Sequence, residues 1–174
     1  MKKFILCILV LLFLLSGCTT TEYTPTKKVE EFMAKYQNLD SEVLSQLDKI
    51  VASDKSLTDN QKKDYMALMK RQYQNLSYKI TDEKIEDDSA NVIVEIEVYD
   101  YISSVNKSED YYNNHKEEFE EKEKYMDYKI TEMQKVSDRK QYEIVFTLRK
   151  EDDGWVMDNI SDTDREKLHG LSNK

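Results

Sequence analysis

The spacing of hydrophobic positions changes twice along this chain. An unbroken apolar run covers Phe4 to Leu15, twelve residues. That is too short to span roughly 30 Å of hydrocarbon as a helix. From residue 29 the period becomes that of a helix. Val29, Phe32, Met33 and Tyr36 recur at i, i+3, i+4 and i+7. A second helix is expected to start at Asp40 or Ser41, with Val43, Leu44, Leu47, Ile50 and Val51 on one face. Thr58-Asp59-Asn60-Gln61 has the capping-box form, with Thr at the N-cap and Gln three places on. It predicts a third helix with Tyr65, Met66, Met69, Tyr73 and Leu76 inward.

The second half alternates instead. Val92, Val94, Ile96 and Val98 interleave with Ile93, Glu95, Glu97 and Tyr99. Tyr142, Ile144, Phe146 and Leu148 do the same, and Asp153-Gly154 signals a turn before Trp155-Val156-Met157. Tyr78-Lys79-Ile80-Thr81 recurs as Tyr128-Lys129-Ile130-Thr131. This echo predicts two hairpins, 77–86 with 90–102 and 127–136 with 141–150. Between them, residues 108–125 are rich in Glu and Lys, with a thin stripe of Tyr112, His115, Phe119 and Met126. They read as a solvated helix. The expected fold class is α+β: N-terminal helices packed on a curved antiparallel sheet of about five strands, with an inserted helix.

The apolar run acquires a meaning from its flanks. Met1-Lys2-Lys3 is a short cationic start, and Leu15-Ser16-Gly17-Cys18 follows the run. The tetrad resembles the bacterial lipobox. The resemblance implies a diacylglyceryl group on the Cys18 sulfur and cleavage that leaves Cys18 first. Residues 1–17 are then a signal peptide and 18–25 a tether. A single domain is expected over 26–168, with 169–174 as a frayed tail. The localisation implied is the outer face of a cell membrane, with the membrane itself as a partner through Cys18. Loss of the signal removes Lys2, Lys3 and Cys7. The processed chain has 24 Lys+Arg against 35 Asp+Glu, a net charge of −11, and no cysteine pair for a disulfide. An acidic chain lacks the cationic face that nucleic acid requires, so no nucleic-acid partner is expected.

Helices first, then an antiparallel sheet with a helix inserted and a final Asp-Gly-Trp hairpin, resembles the nuclear transport factor 2-like, cystatin-like cone. Small lipoproteins of low-GC Gram-positive bacteria look similar, and Lys150-Glu151-Asp152-Asp153-Gly154-Trp155 is like their typical ending. The resemblance covers residues 26–161 and implies a cone-like sheet. It carries over no catalytic residue.

The chemistry is sparse. His115 and His169 are the two histidines, one in a charged helix and one in the expected tail. No catalytic set emerges from them. Asp87-Asp88 and Glu151-Asp152-Asp153 fall at expected turns, where Asp bonds its own backbone. They lack the spacing of an EF-hand, and no Cys/His set for zinc exists. No metal site and no cofactor are therefore read. The twelve tyrosines stand out. Tyr99, Tyr101, Tyr111 and Tyr112 flank one strand-to-helix junction and are the candidate binding residues. Asp82 is a further candidate, on the inward face of its strand with Tyr78 and Ile80 unless a bulge intervenes. The expected function is a non-catalytic module that binds a protein or small molecule. A small-molecule enzyme using the cone pocket, with an Asp or Glu as base and Asp82 as the candidate, is the alternative. A structural role in the envelope is the third reading.

Overall fold

The structure is a computed structural model and describes residues 23–174. The lipobox and Cys18 lie outside the described residues. Six helices and a four-stranded antiparallel sheet make an α+β fold. In chain order they are α1 (Pro25–Gln37), α2 (Ser41–Ser53), α3 (Asp59–Gln74), β1 (Ser77–Glu86), β2 (Ser89–Tyr99), α4 (Tyr101–Asn114), α5 (Lys122–Gln134), β3 (Arg139–Glu151), β4 (Gly154–Met157) and α6 (Asp162–His169). A single 3₁₀ turn, Lys116–Glu118, joins α4 to α5.

Local chemistry sets the helix starts. Thr24 caps α1, its hydroxyl accepting from the Lys27 N–H, and Pro25 follows at the first helical position. Thr58 and Gln61 form the expected reciprocal capping box on α3. Asp100 caps α4 and Ser161 caps α6. Gly170 ends α6 in the left-handed region at φ 69°.

The sheet runs β1-β2-β3-β4. Its alternation is as read: Val92, Val94, Ile96 and Val98 on β2 and Tyr142, Ile144, Phe146 and Leu148 on β3 are buried. In register, Val92 faces Phe146, Val94 faces Ile144 and Ile96 faces Tyr142. The opposite face, with Glu95, Glu143, Val145 and Thr147, is exposed. Helices therefore cover one side only, and the sheet is open. α1 lies on the covered face with Val29, Met33 and Tyr36 inward. Phe32 meets the Phe146 ring edge-on at 5.4 Å.

Both tight turns, 86–89 and 151–154, lie at one end of the sheet. The chain leaves the other end at Tyr99 for α4 and returns to it from α5 at Arg139. Here the expectation of a strand at 127–136 is corrected. That segment belongs to α5, so the sheet has four strands and not about five. Ile130 and Met133 are buried. Arg71 on α3 donates to the Gln134 and Val136 carbonyls that end α5. Tertiary partners on α3 and α4 thus override a four-residue likeness to β1. The inserted segment is also two helices broken at 115–121, where one solvated helix over 108–125 was expected.

The C-terminus is packed rather than frayed. The Gly170 carbonyl accepts from the Ile102 N–H at 2.8 Å. The Tyr142 hydroxyl donates to the Ser172 carbonyl at 2.6 Å, and Ser172 is buried. A Cβ at Gly170 would sit 2.1 Å from the Tyr99 carbonyl oxygen and 2.3 Å from Gln72 Nε2. Glycine is required there for closeness as well as for φ.

Candidate functional site

The structure does not bring the five candidate residues together. Tyr99 and Tyr101 sit at the base of α4, their rings stacked at 5.9 Å. Tyr101 is fully buried, and burial pushes its hydroxyl up to about 12. Tyr99 is held between the Arg71 and Arg139 guanidiniums, 4.1 and 4.7 Å from its ring centre. The buried Gln72 amide clasps the Tyr99 backbone, accepting from its N–H and donating to its C=O. These two tyrosines join the sheet to the helices.

Tyr111 and Tyr112 lie at the far end of α4. Tyr111 stacks on His115 at 4.1 Å, and Tyr112 stacks on Tyr125 at 4.3 Å. Phe119 sits edge-on to Tyr111, Tyr112 and Tyr125 and packs at a tilt against Tyr128. This aromatic cluster closes the tip of the α4–α5 hairpin. The Tyr125 hydroxyl is buried within it and has no hydrogen-bond partner among the described residues.

Asp82 is displaced by the bulge. Ile80 pairs with Val94 but Asp82 pairs with Ile93, so Thr81 is the extra residue and Asp82 turns to the open face. It is exposed, 3.8 Å from the Lys84 ammonium. The bulge also points Glu83 toward α1, where its carboxylate accepts from the Thr26 N–H at 2.8 Å.

His169 is not in a loose tail. It ends α6 and its Nε2 lies 2.8 Å from the Tyr73 hydroxyl. Burial and then the Arg165 charge push its pKa down to about 4. Tyr73 in turn meets Tyr36 edge-on at 4.9 Å. This is core packing.

The cavity best suited to a ligand was not foreseen. It lies between α2, α3, α4, α5 and the C-terminal segment and has a volume of 380 Å³. That falls within the size range of small-molecule sites. Ile50, Val51 and Leu57 line it from the α2 side and Tyr65 from α3. Ile102 and Val105 come from α4, Met126, Ile130 and Met133 from α5, and Leu171 from the end of the chain. Asp54 and Lys129 are its charged members. The Asp54 carboxylate accepts from the Ser56 N–H and hydroxyl at 2.8 and 2.7 Å, which holds its pKa below the usual value. Burial, and then the Asp54 charge, push the Tyr65 hydroxyl up. Ile50 is half exposed at the lip.

A second, polar hollow of 220 Å³ lies along α4 and the 135–138 turn. Its polar groups are engaged: Asp100 accepts from the Ser103 N–H and hydroxyl, and Ser108 donates to the Ser104 carbonyl. The sequence does carry a signal for the apolar cavity. Met126, Ile130 and Met133 recur at i, i+4 and i+7, a helical face that the strand reading of 127–136 concealed. Among the described residues no group of three or more His, Cys, Asp or Glu side chains is placed to hold a metal. Nor is any helix long and apolar enough to cross a membrane. Comparison with protein families, with curated proteins and with solved structures finds no match to this chain.

Proposed function

We propose that this chain is a membrane-anchored lipoprotein of the extracytoplasmic face, whose folded part is a non-catalytic ligand-binding module. The anchor reading rests on Leu15-Ser16-Gly17-Cys18 after a cationic and apolar start. Two acyl chains hold a protein stably, at ~0.8 kcal/mol per buried CH₂. The binding reading rests on one observation, the 380 Å³ apolar cavity among α2 to α5. Its walls are mostly aliphatic and methionine side chains, which suit an apolar ligand. We further read the one-sided sheet as a reduced cone of the nuclear transport factor 2-like kind, supported by helices leading into an antiparallel sheet and by the Asp-Gly-Trp hairpin.

Two measurements test the two parts. Fractionated cells should hold the full chain in the membrane and release Cys18→Ala to the soluble fraction; continued retention overturns the anchor. N-phenyl-1-naphthylamine, a neutral apolar fluorophore, should bind the purified chain one to one, and Val105→Trp should abolish that by filling the cavity. Signal that never saturates overturns the binding reading.

A further inference from the structure

The cavity has one charged group whose surroundings do not account for it. Lys129 lines the apolar wall, half buried, one turn after Tyr125 on α5. Among the described residues no carboxylate lies within ion-pairing distance of its ammonium, which sits over the Tyr125 ring, 5.6 Å from its centre. Its stem lies along the aliphatic wall, which leaves the ammonium at the rim free to meet an anion.

The other charged member does not fill that role. Asp54 is turned to Ser56, and Lys62 and Lys122 are the cations near enough to favour its ionised form. Lys129 is not among them. The Asp54 carboxylate is thus already served by two hydrogen bonds and by lysines other than Lys129. The Tyr65 hydroxyl adds a donor, since it has no hydrogen-bond partner among the described residues and faces the same cavity.

Taken with the ligand-binding reading above, on which it rests, we infer that the cavity binds an amphiphilic monocarboxylate, its chain among Ile50, Val105, Met126 and Met133 and its carboxylate on Lys129. Length follows from volume. At ~30 Å³ per water-sized group, 380 Å³ holds about a dozen non-hydrogen atoms, which is a medium-chain fatty acid. A charge-assisted hydrogen bond in a partly dry site is strong enough to shift affinity about tenfold or more.

The test is calorimetric titration of the full-length chain in lipid nanodiscs, with empty discs as the blank. The probes are decanoate, decanol and decyltrimethylammonium. Decanoate should bind one to one, at least about tenfold tighter than decanol, and the ammonium should bind weakest. Lys129→Gln should erase the preference for decanoate and leave decanol unchanged, while Lys129→Arg should keep it. Equal affinity for decanoate and decanol overturns the inference but leaves the apolar cavity as a binding site. So does a decanoate preference that survives Lys129→Gln, because the carboxylate is then held elsewhere. No saturable binding of any probe by a folded chain, checked by circular dichroism, overturns both readings.

Discussion

The sheet and the α4–α5 hairpin are of similar size but are held together by different means. In β2 and β3 alternate side chains are buried, and all of these but Val98 have a buried partner directly across the ladder. In α4 and α5 only a few residues are buried, namely Tyr101, Ile102, Ser108, Ile130 and Met133. The rest of that hairpin closes through half-exposed rings at its tip. Fully buried aliphatic side chains contribute about 1.5–3 kcal/mol each, whereas an aromatic pair adds about 0.5–1.5 kcal/mol beyond its burial. The sheet end is therefore the stable part of the fold and the helical end the looser one. The cavity lies in the looser part, where opening costs least.

Changes that load one region and spare the other test this contrast. The largest effect should come from Phe146→Ala, which empties the centre of the covered face. A loss of about 3–5 kcal/mol is expected in urea unfolding. A loss under about 1 kcal/mol would mean that the sheet does not dominate stability. Gly170→Ala acts at the seam, where the new Cβ meets the Tyr99 carbonyl and the Gln72 amide. A loss of about 3 kcal/mol is expected, from strain at positive φ together with the lost clasp. Sheet and hairpin probes should shift together; separate transitions would show that the seam does not couple them.

His169 tests the sheet side through pH. Its folded pKa of about 4 lies below the ordinary value of 6.5. Between those values the unfolded chain binds more protons, so stability falls as pH drops. The contribution is complete above pH 6.5, is lost progressively down to about 4, and falls no further below that. The expected loss is on the order of 1–3 kcal/mol, and His169→Gln should flatten it. The smallest effect belongs to the hairpin tip. Tyr125→Phe removes a buried hydroxyl without a partner, and a gain of about 1 kcal/mol is expected in thermal melts. A loss of that size would mean that the hydroxyl is satisfied in solution.

The same two regions differ in how far their sequence could be read. Strands β2 and β3 announce themselves because one wet and one dry face impose strict alternation. The α3 start was legible because its capping box is local chemistry between Thr58 and Gln61. α5 was not, since Tyr128-Lys129-Ile130-Thr131 suits either period and only contacts with α3 and α4 decide between them. Asp82 was placed inward by counting in twos, and one extra residue, Thr81, reverses that parity. The tyrosines were conspicuous, but they serve as packing and as a clasp. The cavity residues were hidden because an aliphatic side chain lining a cavity reads like one filling a core.

The hydrogen bond from the Thr26 N–H to Glu83 fixes where the polypeptide enters the fold. α1 begins beside the turn end of the sheet, and its other end meets the start of β1, where Gln37 bonds the Leu76 carbonyl. The cavity residues Ile102 and Leu171 lie past the opposite end of the sheet, at least seven residues of strand from Val92, the partner of Glu83. At about 3.3 Å per residue that is roughly 23 Å of strand. If residues ahead of Tyr23 are fastened to a surface, the cavity is held at the end of the fold remote from the Thr26–Glu83 contact.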